Sequence, residues 1–420
     1  MNANASSGPT GPASAAGDDT APDCIVIGAG PAGLLAALLL GRRGRRVTVL
    51  ERRPDPAGAA PAAGGSVIVQ PVTLGLLDQA GLLAAASEGA GRMLGAEAYF
   101  GGTLAGSYRY EELPGSPLPY ALSLRPGALL GGMLAALDAL PNVTLVWGAE
   151  VESLGGTPGG TRTLTVRTPG GTREYRPAYL LAADGRDSAT RALAGIPAEV
   201  TASGGGYLDA GVPIPPGWDE LTRAHFGAHG YLLETRRGED GLVIVWITDA
   251  AAAAAVLDGP VEGLVKVWSD VVPRLAGWFA RHITDWDQVR RVQHHSVRAR
   301  TWSTGNVVLL GDSAHGMHAF AGQGMNTSLQ DAVCLADAVD QALTGQDTGA
   351  FDAFEQVRRP YIEALQNLQA TNTPARADQA APERERAPEF EVLALGQPEI
   401  RPLLARAAAH QARYAAAAHH

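Results

Sequence analysis

The chain has little lysine and little cysteine. Lys266 is its only lysine and Cys24 and Cys334 are its only cysteines in 420 residues. Any mechanism that needs a catalytic lysine elsewhere is therefore excluded. Both cysteines fall inside expected secondary structure, one in a strand and one in a helix. They read as buried small apolar residues rather than as a disulfide. Basic charge is also short: the formal net charge is −10, which argues against a general nucleic-acid or polybasic membrane role. No long apolar run is present. The longest, Leu34–Leu40, is far too short to cross a bilayer. Met1–Asp23 has neither a basic n-region nor an apolar h-region, so a cytoplasmic, soluble protein is expected. No metal site is expected.

What is present suffices for a large fold. Hydrophobic residues make up 46% and charged residues 18%, enough for two cores or for one α/β domain with a substantial insertion. Residues 1–21 lack periodicity and read as a disordered tail. CIVIG (Cys24–Gly28) reads as a buried strand, Pro31–Leu40 as a helix and Val47–Leu50 as a second strand: a βαβ unit. Val67–Val69 is expected as a strand, Leu74–Ala80 and Leu129–Leu140 as helices, Val143–Val146 and Tyr179–Ala183 as strands, and Glu150–Tyr175 as a β meander. The segments Gly230–Thr235 and Leu242–Thr248 flank RRGEDG, a hairpin signal. Leu257–Phe279 is expected to be mostly helical, as are Thr327–Leu343 and Phe351–Ala370. The division that follows is a nucleotide-binding domain in three pieces, 22–95, 121–195 and 296–370. Two insertions, 96–120 and 196–295, form a sheet-rich cap, and 371–420 is a helical or disordered tail.

Three motifs carry chemistry. The first is Gly28-Ala29-Gly30-Pro31-Ala32-Gly33, a G-x-G-x-x-G between a strand and a helix. Gly28 permits the tight turn, Gly30 lets a pyrophosphate approach the backbone, and Gly33 lets helix pack on strand. The helix N-terminus adds partial positive charge. The next strand ends in Glu51, well placed for an adenosine ribose hydroxyl. Beside it, Arg52 and Arg53 either lie over the adenine or stand in solvent. The second motif, Asp184-Gly185-Arg186-Asp187-Ser188-Ala189-Thr190-Arg191, follows a buried strand. It suits a loop covering a nucleotide, or a turn with a Ser-capped helix. The third, GDSAHGMHAFAGQGMN (Gly311–Asn326), sets Asp312 after the apolar strand Val307–Leu310. Gly322, Gly324, Met325 and Asn326 then offer N–H groups at a helix start, where a helix dipole stabilises negative charge by about 0.3–2 kcal/mol.

These stretches, in this order, resemble the group A FAD-dependent aromatic monooxygenases, flavin hydroxylases with the para-hydroxybenzoate hydroxylase fold. That family shows GxGxxG with a Glu at the second strand end, then DGxxSxxR, then GDAAHxxxPxxGQGxN. The resemblance spans about residues 22–370 and implies an α/β fold, a Rossmann-like FAD-binding domain with an inserted β-sheet-rich substrate domain. It implies FAD as cofactor and NAD(P)H as transient electron donor. Gly28, Gly30, Ala32 and Gly33 would hold the FAD pyrophosphate, with Glu51 and Arg52 at the adenosine end. Arg125, Asp184 and Asp312 would contact its central part, and Gly322, Gly324, Met325 and Asn326 would border the isoalloxazine. His315 belongs to the common motif and reads as structural. One departure stands out: His318-Ala319 replaces the family's mid-motif proline, which should loosen the backbone there. His318, Ala319 and Gly322 are thus the candidates at the reacting face, His318 as acid, base or substrate contact.

The reaction implied is insertion of one oxygen atom from O2 into an aromatic or polycyclic natural-product-type substrate, through a flavin C4a-(hydro)peroxide in a dry pocket. Baeyer–Villiger insertion, epoxidation, and a non-oxygenating reductase or dehydrogenase on the same scaffold remain open, as does a non-catalytic FAD-binding partner. A flavin-dependent halogenase would need a catalytic lysine downstream and a WxWxIP-type segment; Lys266 falls in the wrong region and no such segment is in the chain. Candidate substrate contacts from the cap strands are Tyr207, His225, His229, Tyr231 and Trp246. No basic cluster stands out in these strands, so a neutral phenolic or polycyclic substrate is expected over a small carboxylate.

Overall fold

The computed structural model of the chain describes residues 21–55, 67–113, 115–157, 160–202, 206–293, 295–318, 322–345 and 349–371. Both expected tails lie outside these residues apart from residues 21 and 371. Ala319 also lies outside the described residues.

Cys24–Ile27 (β1) is four apolar residues, all buried. Pro31–Arg42 (α1) follows with proline in its first turn, where the missing N–H costs nothing. Its buried residues run unbroken from Gly33 to Gly41, as expected of a helix enclosed on all sides. Val47–Glu51 (β2) completes the unit. These strands belong to a six-stranded sheet ordered Ser303–Thr304, Val307–Leu309, Tyr179–Ala182, β1, β2, Val143–Trp147. Every pairing is parallel except that of the short edge strand Ser303–Thr304. Helix Gly324–Leu343 packs along α1, and the last helix, Ala350–Thr371, packs on it in turn.

Two prolines move helix starts upstream of the expected ones. The helices begin at Pro71 and Pro126, not at Leu74 and Leu129, because proline's fixed φ suits the first helical position. Helix Gly324–Leu343 likewise starts inside the glycine turn, before Thr327. The expected helical stretch 257–279 is broken: Val261–Val271 ends at Val272, a 3-10 turn Pro273–Leu275 follows, and Ala276–His282 resumes.

A second, seven-stranded sheet is ordered Val289–Val292, Tyr207–Pro213, Gly241–Ile247, Gly230–Arg237, Leu221–Gly227, Gly95–Phe100, Thr103–Arg109. It draws strands from two stretches, 95–109 and 207–292, that lie far apart in sequence. Helices Val261–Val271 and Ala276–His282 cover one face, with Leu208, Leu232, Ile244, Trp246, Leu264, Trp268 and Phe279 in a shared core. Three short strands, Val67–Val69, Ala121–Leu124 and Gly91–Met93, form a small antiparallel sheet that packs against strand Gly230–Arg237 and helix Gly324–Leu343. No helix among the described residues is long and apolar enough to cross a membrane.

Candidate active site

The chain leaves β1 through Gly28, at φ +105°. A Cβ here would stand 2.4 Å from the Ala183 carbonyl oxygen, and one at Gly33 would stand 2.1 Å from the Gly28 oxygen. The close approach of turn, helix and neighbouring strand demands both glycines. Gly30 is different. Its φ is an ordinary −77°, and a Cβ there would meet nothing within 4 Å. The chain's own packing has no need of a glycine at this position, which leaves the turn open to a ligand. Gly30 also begins α1, and no side chain caps that helix end, so first-turn N–H groups such as those of Ala32 and Gly33 remain for a ligand.

The second glycine turn repeats this arrangement. Gly322 has φ +62°. Helix Gly324–Leu343 starts without a side-chain cap, and a Cβ on Gly324 would meet nothing within 4 Å. The two helix mouths lie at one end of the sheet. Arg43, just past α1, donates to the Ala336 carbonyl at 2.7 Å, and Arg45 bonds Asp340 at 2.6 Å. Traced back from that contact, Gly30 and Gly324 are each about three and a half turns away at 3.6 residues per turn. The strands that lead into the two turns run parallel to each other in the sheet, so both N-termini open past their carboxyl ends.

Glu51 stands beside the first mouth. It accepts the Ala29 N–H at 2.7 Å and the Arg53 N–H and Nε at 3.0 Å each. Burial pushes its carboxyl up, but the bonds from Arg53 and Ala29 outweigh burial and hold it below the usual glutamate value. It is an ionised acceptor. Arg53, rather than Arg52, folds onto it, and Arg52 is exposed.

Behind the second mouth a buried network sets the turn. Asn326 accepts the Gln70 N–H at 2.9 Å and donates to the Ile68 and Gly322 carbonyls at 2.8 and 2.9 Å. Its side chain braces the turn, leaving the backbone to face a ligand, while Met325 is half-buried. His315 pairs through Nε2 with Asp331, which Arg358 Nε meets at 2.6 Å. Asp331 and Arg358 are both 0% exposed. Burial raises the Asp331 carboxyl, but Arg358 and His315 bring it below its ordinary value. His315 is thus a structural residue, tying the turn to both later helices.

The Asp184 loop forms the Ser-capped turn that its motif allows. Ser188 caps the short helix Ala189–Leu193 by accepting the Arg191 N–H at 2.9 Å. Asp184 accepts from Ser188 Oγ at 2.5 Å and from the Thr190 N–H at 2.9 Å. Arg191 donates to the Ser313 carbonyl at 2.8 Å and so ties this loop to the third motif. Arg186 stands 3.8 Å from the half-buried Asp312. Burial pushes the Asp312 carboxyl up, and Arg186 draws it back. The Arg186 charge also reaches His318 and Tyr207. His318 is half-buried, and burial first, then Arg186, lowers its imidazole. Sequence reasoning did not single out Arg186; only its place inside the motif signalled it.

Of the His318-Ala319 departure, only His318 is among the described residues. Gln369 accepts the His318 N–H at 3.2 Å and donates to the His318 carbonyl at 2.9 Å. A side chain from the last helix fixes this backbone in place of a ring.

The seven-stranded sheet separates the five substrate candidates. Tyr207, Tyr231 and Ile247 are register partners, and Phe226 pairs with Tyr231. They lie on the face opposite the helices. Phe100 stacks on Phe226, with centroids 4.7 Å apart, and Tyr231 tilts against Phe226 at 5.1 Å. Links run from this sheet toward the second helix mouth. Tyr110 donates to Gln70 Oε1 at 3.0 Å, Gln70 holds Asn326, and the Arg186 charge reaches Tyr207. His225 and Trp246 are corrections. Each pairs with Leu232, a residue of the helix-covered core, so both lie on that face and not beside Tyr207 and Tyr231. Trp246 is 2% exposed and donates to the His229 carbonyl at 2.8 Å. His225 Nε2 meets Glu234 at 2.5 Å and its ring stacks on Tyr99. His229 sits in the turn between these strands, beside His225. Arg125 precedes its helix and pairs with Asp240 at 3.0 Å on the surface.

The inner face is also more basic than the sequence suggested. Arg290 binds Asp209 at 2.6 Å and Tyr207 Oη at 3.4 Å. Arg237 lies flat over Gly211, where any Cβ would collide with its guanidinium. Burial pushes the Asp209 carboxyl up despite Arg290. These arginines come from separate strands, so no run in the sequence reveals them.

The residues fit FAD. Two uncapped helix mouths stand level, each with unfilled space at a glycine that the fold itself does not require, and an ionised Glu51 stands beside one of them. Comparison with known proteins agrees. Residues 22–371 match the family described as FAD binding domain. Protoasukamycin 4-monooxygenase of Streptomyces nodosus subsp. asukaensis is 31% identical over 361 residues, covering 83% of this chain and 86% of that protein. For 6-methylpretetramide 4-monooxygenase of Streptomyces rimosus the identity is 30%, covering 83% and 82%. Among solved structures, PqsL of Pseudomonas aeruginosa in complex with 2-aminobenzoylacetate superposes with a TM-score of 0.75 at 25% identity, covering 84% of this chain and 97% of that one.

Proposed function

The chain belongs to the FAD binding domain family, as a group A FAD-dependent monooxygenase, and from that premise we propose how its own residues divide the work. Bound FAD supplies electron transfer from NAD(P)H and the activation of O2. The Gly28–Gly33 turn and the mouth of α1 hold the pyrophosphate, and Glu51 accepts from the adenosine ribose, with Arg52 and Arg53 at that end. Asp312, the Asp184 loop and Arg125 serve the central part; Arg125 would exchange its surface partner Asp240 for the cofactor. Gly322, Gly324, Met325 and Asn326 present backbone N–H groups to the pyrimidine edge of the isoalloxazine, where the helix dipole favours negative charge.

The substrate is an aromatic or polycyclic small molecule of the natural-product kind. Its rings lie against Tyr207, Phe226 and Tyr231, and this apolar wall keeps water from the reacting centre. Arg186, Arg237 and Arg290 give the same face a place for a phenolic, enolic or carboxylate oxygen. His318, held neutral by its surroundings, is the acid–base candidate at the edge of the cleft. Dependence on NAD(P)H supports a cytoplasmic location. One observation carries this reading: two level, uncapped helix mouths, with links from the aromatic-bearing sheet toward the second. The test is a panel of phenols, naphthols and hydroxylated polycyclic compounds, scored by stimulated NAD(P)H oxidation and by incorporation of label from 18O2. Stimulation with label in product is the expected result. NAD(P)H oxidation without oxygen uptake, across the panel, would point instead to a reductase.

A further inference from the structure

The last helix sends two buried glutamines toward the third motif. Gln366 and Gln369 are 3% and 4% exposed and lie three residues apart, on one helix face. Gln366 Nε2 donates to the Gly316 and Val297 carbonyls, both at 2.9 Å. Gln369 closes a two-bond ring on the backbone of His318, accepting at 3.2 Å and donating at 2.9 Å. Residues 316–318 belong to no strand or helix, so a ladder does not fix them. The Val297 N–H also reaches the Gly316 carbonyl, at 2.9 Å, and a Cβ on Gly316 would stand 3.4 Å from the Arg186 side chain. The segment is thus held from behind by the last helix while its other side meets Arg186.

We propose that Gln366 and Gln369 are positioning residues, which fix the backbone from Gly316 to His318 and so hold the His318 imidazole beside Arg186 at the edge of the cleft. They do by hydrogen bonding what a proline at the next position does by its ring. Gln369 sets His318 directly, and Gln366 anchors the start of the segment. The effect on turnover rests on the monooxygenase reading, but the clamp itself does not.

The test uses Gln369→Met, which keeps length and apolar stem and removes both bonds. In FAD-free protein, amide exchange at His318 should speed up at least about tenfold, with exchange in strand Val307–Leu309 unchanged. The His318 ring, followed by NMR with labelled histidine, should titrate nearer the ordinary histidine value than in wild type. With FAD bound and a stimulating aromatic present, the variant should release more hydrogen peroxide per NAD(P)H oxidised. Unchanged exchange and titration in a folded variant would overturn the clamp. Should the variant not fold, wild type decides: a His318 amide that exchanges as fast as an open loop contradicts the proposal, and one protected like the Val297 amide supports it. Altered exchange with no flavin effect would sink the functional reading and leave the clamp standing.

Discussion

The two faces of the seven-stranded sheet are built from the same kinds of residue and do opposite things. The outer face carries Trp246 and His225 under two helices, with the indole bonded to a carbonyl and the imidazole bonded to Glu234. The inner face carries Tyr207, Phe226 and Tyr231 with arginines at its margin, and links run from its sheet toward the second helix mouth. An aromatic residue serves packing on one side and, on the reading proposed above, recognition on the other. Strand register, not residue type, decides which.

Substitutions should keep these roles apart. The largest effect belongs to the outer face: Trp246→Ala should cost about 3–5 kcal/mol of folding stability by emptying a packed core, read from urea unfolding. An equal loss from Phe226→Ala would erase the distinction. Next is Arg290→Met on the inner margin, which leaves Asp209 without its guanidinium. Because Arg290 is 40% exposed and water screens the pair, the cost should be about 1–3 kcal/mol at neutral pH. Its sign with pH is specific. Asp209 already has a raised value in the fold, so protonation favours the folded state. The deficit should shrink as pH falls through that raised value, and a deficit that grows in acid would contradict the placement. The smallest stability effect belongs to Tyr207→Phe and Tyr231→Phe, within about 1 kcal/mol. These two should instead change KM for a stimulating aromatic by about two- to twelvefold, the worth of one hydrogen bond.

Much of the nucleotide end was legible because its signals are contiguous. A buried strand, a glycine turn, Pro31 at a helix start and Glu51 at the next strand end all lie within thirty residues. The Gly311–Asn326 stretch is equally compact. The cap was not legible in this way. Strands Gly230–Arg237 and Gly241–Ile247 are buried on both faces, so no alternation marks which side meets the cleft. Trp246 and His225 were misplaced for that reason. Arg237 and Arg290 converge only through the pairing of four strands, and Gln369 reaches His318 from a helix outside the three motifs. Arg53 bonds Glu51 through both its backbone N–H and its side chain, a contact that adjacency in sequence does not reveal.

The central claim is that one cofactor is gripped by both helix mouths. It is tested most directly by titrating FAD into the wild-type chain and into Gly30→Val and Gly324→Val, following flavin fluorescence. Both sites have room for a side chain in the protein alone, so folding should be preserved in each variant. The account predicts FAD binding by wild type and a loss of at least about tenfold in affinity, ~1.4 kcal/mol, from either substitution. Wild-type protein that fails to bind FAD, or a Gly324→Val variant that binds it undiminished, would contradict it.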